Sequence, residues 1–408
     1  MEKGHLFLSG SAWVRPASQQ LKSSLEMVLL PAGDTGHFTF LLHRGLELES
    51  VIGEDVSHWE YLDESSGSFS PEARQIRVDL ESLRGAGEAI RLSVAYSGQI
   101  GCIMEWEVNR ITREWVELGL YSPWFPLVPD GQNVVHLEYD LEVTVEGDYQ
   151  VVGAQRIEGT ADGWRLVSKR PGQDMVLLAA PGFHSLKRTD GNASMFVHRT
   201  GVENQAAAQA LGATGLDLLN FYREWFSDPT SREITVVIAP RSVGGGYVRH
   251  SLMVLSEDAL TAFETEAMKI FKSLAHEFAH LWWNRAPADS WEDWLNESIA
   301  EYCALRAVAA KYSQKIFDTM INDKREKMKG LPPVKGLERT SPHAVDVLYS
   351  KGCVLLHDLS ERVGERAFTA LLRRLLAMEA LSTERFLEAL SDVAGSEIAR
   401  DFGAMLRE

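Results

Sequence analysis

Long apolar stretches are missing from this sequence. No run of eighteen apolar residues occurs in it, so the sequence offers no candidate for a membrane-spanning helix. The first ten residues, Met1 to Gly10, hold no sustained apolar segment of the kind a secretory leader needs, and a cytoplasmic protein is expected. Cysteine is scarce. Cys102, Cys303 and Cys353 are odd in number and far apart, which suits buried small apolar side chains better than a disulfide framework. Positive charge is short as well: 41 Lys and Arg face 58 Asp and Glu, a formal charge of -17. That balance argues against a nucleic-acid footprint and against an anionic membrane as partner. A solvated acidic surface explains it, ahead of a preference for basic substrates. Against these shortages stands a hydrophobic content of 45% over 408 residues, enough to bury the cores of two or three domains.

One stretch organises the rest. Ala275-His276-Glu277-Phe278-Ala279-His280-Leu281 sits inside a strongly helical segment from about Thr261 to Asn284. Four positions along a helix advance about 400°, so His276 and His280 lie one above the other on one face, where two imidazoles can grip one metal ion. Glu277 stands about 100° round the helix, able to reach a water beside the ion without ligating it. This is the H-E-x-x-H zinc signature. A catalytic zinc takes three protein ligands and keeps a fourth position open, so a carboxylate from a second helix is required. Glu297, within Trp294-Leu295-Asn296-Glu297-Ser298-Ile299-Ala300-Glu301-Tyr302, is the natural candidate. Two acids four apart would otherwise be read as a solvated helix face.

Along the chain, β signals dominate from Met1 to about Val197. Ile90–Tyr96 and Val135–Val145 alternate apolar and polar positions, and His37–Leu42 is a shorter candidate strand. Asp130-Gly131, Asp162-Gly163 and Asp190-Gly191 supply turn chemistry, so an antiparallel sheet domain is expected. From Glu203 to Phe226 helix formers take over, with Thr214 and Asp217 spaced as a helix-start box partway along. The domain boundary is placed here, giving an N-terminal β domain at 1–199 and a second domain at 200–408. Ile234–Pro240 and Ser251–Leu255 read as strands, with Gly244-Gly245-Gly246 between them able to border a cleft or form a plain loop. Beyond Tyr302 the chain is largely helical, including Glu365–Met378 and Glu384–Leu390. His184, His198, His250, His343 and His357 have no partner at metal spacing, and only His250, following the glycines, invites attention. Trp282, Trp283, Trp291 and Trp294 flank the motifs, and core burial is the ordinary role for such aromatics.

The segment Trp294 to Tyr302 resembles the gluzincin aminopeptidases, the family of alanyl and puromycin-sensitive aminopeptidases and leukotriene A4 hydrolase, whose second motif reads W-L-N-E-G-x-A-x-Y. The resemblance implies that Glu297 is the third zinc ligand, although sixteen residues separate it from His280 where the family usually has eighteen. Loop length costs little free energy, so the difference is tolerable. Tyr349-Ser350-Lys351-Gly352 is similar to the family's Y-x-K-G, whose tyrosine donates a hydrogen bond to the developing oxyanion, and Leu120–Pro126 looks like its W-[YF]-P segment. The implied architecture is α+β and multidomain: a saddle-like antiparallel β domain, then a thermolysin-like, mainly helical catalytic domain with a small sheet, without the C-terminal domains of longer members. The implied chemistry is peptide hydrolysis with one Zn²⁺. His276, His280 and Glu297 hold the metal, Glu277 is the general base, and Tyr349 is the oxyanion donor. Glu301, one turn beyond Glu297, would orient a ligand imidazole.

The departure that matters is the missing G-x-M-E-N, whose glutamate holds the substrate's free amine in the family. Neither Glu nor Asn occurs between Gly244 and Leu255. An ammonium group needs a carboxylate or several carbonyls in place of its water, so exopeptidase specificity is left open. The alternatives are a catalytically silent zinc-binding scaffold, and a zinc hydrolase or endopeptidase acting on a substrate without a free N-terminus. The first has no use for Glu277 and Tyr349.

Overall fold

The computed structural model describes residues 4–65, 72–101, 108–130, 133–154, 156–168, 171–201, 205–241, 246–258, 260–261, 266–287, 290–339, 341–378 and 380–408. Cys102, Gly131, Glu203, Gly244 and Gly245, singled out above, lie outside them. The chain forms two compact units: Met1–Ser185 with His198–Glu203 and Val236–Asp258, and Leu186–Val197 with Asn204–Thr235 and Ala259–Glu408. The units interleave, because strand pairing joins segments far apart in sequence and no local signal announces it.

Alternating sequence becomes alternating burial in the first unit. In Gln20–Leu30, Leu21, Leu25, Met27 and Leu29 are buried while Lys22, Ser24 and Glu26 are exposed, the period of two that a half-covered strand requires. A seven-stranded sheet runs in the order Arg156–Gly159, Trp164–Val167, His136–Val145, His5–Arg15, Gln20–Leu30, Ile90–Gln99, Leu46–Ile52. A second sheet is formed by Thr35–His43, Ala73–Arg84 and Val56–Ser65, and a third by Gln150–Gly153, Leu177–Ala180, Val116–Leu118 and Arg110–Ile111. The strands expected from alternation are present, but the antiparallel expectation needs one correction: His5–Arg15 pairs in parallel with His136–Val145. Apolar alternation says which face of a strand is buried, not which distant strand lies beside it. The aromatic pair in Leu120–Pro126 is core. Trp124 and Phe125 are fully buried and meet edge to face at 5.9 Å, and the Trp124 indole donates to the Met175 carbonyl at 2.9 Å.

The first unit also buries an ion pair. Glu117 and Arg241 have no side-chain exposure, and the Arg241 guanidinium lies 3.1 Å from the carboxylate. The Trp115 indole at 2.9 Å and the Tyr247 hydroxyl at 3.2 Å donate to the same carboxylate, so its oxygens are answered by hydrogen bonds as well as charge. Tyr247 and Arg249, just past the glycines, are therefore tied to this unit's interior, Arg249 pairing with Asp174 at 2.7 Å. His250 adopts a left-handed backbone, φ 53°.

The second unit is mainly helical: α1 (Gln205–Phe226), α2 (Ala267–Ala279), α3 (Trp294–Lys311), α4 (Gln314–Lys327), a π-helical turn at Val347–Lys351, α5 (Gly352–Val363), α6 (Glu365–Leu376), α7 (Thr383–Ala394) and α8 (Ser396–Met405). The helix-start box at Thr214 and Asp217 does not start a helix. α1 runs through it, because Leu211, Gly215, Leu218, Leu219, Tyr222 and Phe226 continue one buried stripe. No helix among the described residues is long and apolar enough to cross a membrane.

Arg241→Met should destabilise the β-rich unit by about 3–5 kcal/mol in urea unfolding, because it strands a buried carboxylate. Arg15→Met, which removes the exposed partner of Glu146, should cost no more than about 1 kcal/mol. Equal costs for the two would contradict this account of the ion pair.

Candidate metal centre

The helix bearing the paired histidines stops earlier than its sequence suggests, and the stop has a purpose. α2 ends at Ala279 and the chain turns tightly, with Trp282 and Trp283 both bonding back to the Ala279 carbonyl at 3.0 Å. The turn buries both indoles, and it frees the Trp283 carbonyl to accept from His280 Nδ1 at 2.9 Å. With Nδ1 so engaged, His280 presents its other nitrogen, Nε2, as a lone pair.

α3 comes next, after a loop pinned by its own sequence. The Asn296 side chain clasps the backbone of Ala286, accepting from its N–H at 3.1 Å and donating to its carbonyl at 3.0 Å. Asp293 accepts a further bond from the same amide at 2.8 Å. These three contacts fix the shortened connection. α3 is buried on almost every side from Trp294 to Val308, so it is a central helix and not a surface one. Trp294 is core with Trp282 and Trp283, whereas Trp291 is only partly buried.

That placement settles the character of the two acids. Glu297 is 17% exposed and Glu301 is fully buried, so neither belongs to a solvated face. His276 Nε2 lies 3.2 Å from His280 Nε2 and 3.2 Å from Glu297 Oε2, and His280 Nε2 lies 3.7 Å from that oxygen. Zinc bonds of about 2.0–2.1 Å in tetrahedral geometry put ligand atoms about 3.3–3.4 Å apart, so the triangle matches what a zinc ion demands. The donor set fits too. Among the described residues these three are the one group of His, Cys, Asp and Glu whose ligand atoms converge this closely. Glu301 accepts from His276 Nδ1 at 3.0 Å, which turns that residue's Nε2 toward the same point.

Charge around the triangle is large and mostly compensated. Burial pulls the His276 imidazolium down, but the Glu297 and Glu301 carboxylates overcome it and hold its pKa up at about 9. Glu297 is raised by burial and lowered more by its histidine neighbours, ending near about 2. Glu301 falls well below the ordinary carboxylate range despite burial, through His276, Lys272 and Lys324. The Tyr349 ring stacks on the His276 ring, centroids 5.0 Å apart and planes 15° apart, with its hydroxyl bonded to Glu297. Burial, the Glu297 carboxylate and the charge of Glu277 all push the phenol far above its usual range, so it keeps its proton. Glu277 is half-buried on α2, close enough for its charge to act on Tyr349. All five expected site residues therefore gather in one unit. His184, His198, His250, His343 and His357 take no part in the cluster.

Three further side chains shape the centre and were not picked out from sequence. Lys272 Nζ lies 2.5 Å from Glu301 Oε2, and Lys324 Nζ 2.5 Å from Glu301 Oε1. Lys272, one helical turn before His276, carried a usable signal in its spacing. Lys324, on a helix of its own, carried none. Ser298 stands where the family motif has glycine, and its hydroxyl donates to the Leu348 carbonyl at 2.7 Å, fastening α3 to the π-helical turn beside Tyr349. Gly352 faces it so closely that a Cβ would collide with the Ser298 hydroxyl.

In the metal-free protein a proton on His276 competes with zinc up to pH about 9. Protonated Nε2 cannot ligate, so apparent zinc affinity should climb about tenfold per pH unit below that value and flatten above it. Chelator competition, corrected for the chelator's own protons, measures this. An affinity that ignores pH from 7 to 9 would remove His276 from the ligand set.

Residues 216–403 match the Peptidase family M1 domain. Human endoplasmic reticulum aminopeptidase 2 is 26% identical over 206 residues, 46% of this chain and 21% of that protein. Probable aminopeptidase 2 of Sulfurisphaera tokodaii is 26% identical over 170 residues, 37% of this chain and 22% of that protein. The chain thus spans about a fifth of the length of these curated relatives. Among solved structures, an M1 zinc metallopeptidase from Deinococcus radiodurans aligns over 100% of this chain and 93% of its own, with TM-score 0.68 at 16% identity. A crystal structure from the same organism, described as bound to a Tyr-Ser-Ala substrate, aligns over 100% and 94% with TM-score 0.67 at 15% identity. The β-rich unit followed by a helical one is the fold of those two proteins. Residues 216–403 of this chain match the Peptidase family M1 domain, and the relatives they are similar to are aminopeptidases.

Proposed function

We propose that the protein is a zinc-dependent metallopeptidase, aminopeptidase-like in its machinery, with the catalysis carried by the 200–408 part of the chain. The observation that supports this most is the triangle of His276, His280 and Glu297 ligand atoms at 3.2, 3.2 and 3.7 Å, with each imidazole's Nδ1 already engaged. One zinc ion held there, facing a single protein negative charge, supplies Lewis acidity that brings a water's pKa to about 7. Glu277 takes the proton from the attacking water and returns it to the leaving amine. Tyr349, which keeps its proton, donates to the oxyanion as the carbonyl becomes tetrahedral, adding no charge of its own. Glu301 holds His276 in the orientation and tautomer that ligation needs.

A peptide substrate is supported by the family domain and by the tripeptide in the Deinococcus structure. A cytoplasmic location is supported by two buried free thiols, Cys303 and Cys353. One observation favours a second reading. With neither Glu nor Asn between Gly244 and Leu255, the usual carboxylate for the free amine is missing, so cleavage of blocked peptides competes with aminopeptidase activity.

Glu277→Gln should keep full zinc content and lose turnover by about 10²–10⁴-fold, and activity surviving in that variant would cancel the general-base role. Tyr349→Phe should lower kcat by about 10²–10³-fold at nearly constant KM. Paired peptides with free and acetylated N-termini, assayed with and without chelator, divide the specificities. Cleavage of free amines alone means aminopeptidase and cleavage of acetylated ones means endopeptidase. Cleavage of neither points to a scaffold or a non-peptide substrate.

A further inference from the structure

Beside the triangle lies the Glu301 carboxylate, fully buried and bracketed by two ammonium groups as well as by His276. The two lysines are not equivalent. Lys272 comes from α2, the helix that already carries His276, so its contact adds little new geometry. Lys324 comes from α4, and its Nζ touches two things at once: Glu301 Oε1 at 2.5 Å and the backbone carbonyl of Tyr349 at 2.8 Å. Its side chain is only 15% exposed. One ammonium group therefore spans the carboxylate that aims a ligand imidazole and the π-helical turn that carries the phenol.

π-helical turns are rare, occur as single turns, and place residues where a regular helix would not. Here the turn is held by Ser298, bonded to the Leu348 carbonyl at 2.7 Å, and by Lys324, bonded to the next carbonyl along. The stacking of Tyr349 on His276 is the visible result, since both rings are held from behind by groups that Lys324 joins. From this geometry we infer that Lys324 is a positioning residue that couples the metal site to Tyr349, so that zinc affinity and the placement of the phenol depend on the same ammonium group. The inference rests on the zinc-hydrolase reading, but it concerns contacts that exist whether or not peptides are the substrate.

Outer partners of metal-ligating histidines typically change metal affinity or activity about 10–100-fold when removed. Lys324→Met, with Lys324→Gln as a second variant should the first not fold, is compared with Arg325→Met as control. Arg325 is its neighbour on α4 and its guanidinium pairs with Asp358 at 2.9 Å. Zinc affinity is read by chelator competition and kcat and KM per bound zinc on an amide substrate. Lys324→Met should weaken zinc at least about tenfold and lower kcat by a similar factor at KM within about twofold, with Lys324→Arg recovering most of both. Arg325→Met should lower Tm and leave zinc affinity alone. If Lys324→Met and Lys324→Gln lower only Tm, as the control does, Lys324 is a structural residue and the inference is overturned. Should wild-type protein cleave no amide at all, the peptidase reading fails while the zinc-affinity comparison still decides the role of Lys324.

Discussion

Two imidazole lone pairs 3.2 Å apart, pointing at the same spot as a carboxylate oxygen, constrain everything around them. Unless a cation sits between them, a proton takes its place: burial works against it, but the Glu297 and Glu301 carboxylates hold the His276 pKa up at about 9. Holding them there costs free energy, and the helical unit is arranged to meet that cost. α2 stops at Ala279 so that the Trp283 carbonyl can hold His280, and Glu301 is buried so that it can hold His276. Two lysines then keep Glu301 ionised in a place where burial alone would favour the neutral acid. The chain of dependence runs from charge to orientation to metal, across three helices, α2, α3 and α4.

Departures from the family's motifs acquire physical meaning in this setting. Sixteen residues between His280 and Glu297 suffice because Asn296 clasps Ala286 and Asp293 clasps Asn296, closing the connection locally. Serine at 298, where the motif has glycine, fills space that Gly352 leaves open and contributes a hydrogen bond of its own. The residues that follow the glycines, Tyr247 and Arg249, are committed to Glu117 and Asp174.

Most of the centre was legible because its chemistry is periodic. Histidines four apart and an acid beside the first announce a metal on a helix, and a tyrosine before Lys-Gly was readable through resemblance. Long alternating strands such as Val135–Val145 were equally plain. What escaped has a common cause. The parallel pairing of His5–Arg15 with His136–Val145, the interleaved units and the role of Lys324 are all relations between segments far apart in sequence. The early end of α2 escaped for another reason: nothing there breaks a helix by propensity, and burial of two adjacent indoles overrides it. The start box in α1 failed in the opposite sense, a local signal outvoted by a continuous apolar stripe.

The turn at Val347–Lys351 has a consequence for how this region could ever be altered. A π turn behaves as one residue inserted into an α-helix, and each helical residue advances about 100°. Residues on either side of the insertion are therefore out of phase with each other: α5 keeps its own apolar side inward only because the surplus residue is absorbed upstream of Gly352. Deleting one residue to regularise the backbone would bring the two stretches into a single winding, improve their hydrogen bonding, and swing the phenol off the imidazole. The irregular backbone and the ring contact therefore stand or fall together, since the smoother winding is reached only by forfeiting the stacking of Tyr349 on His276.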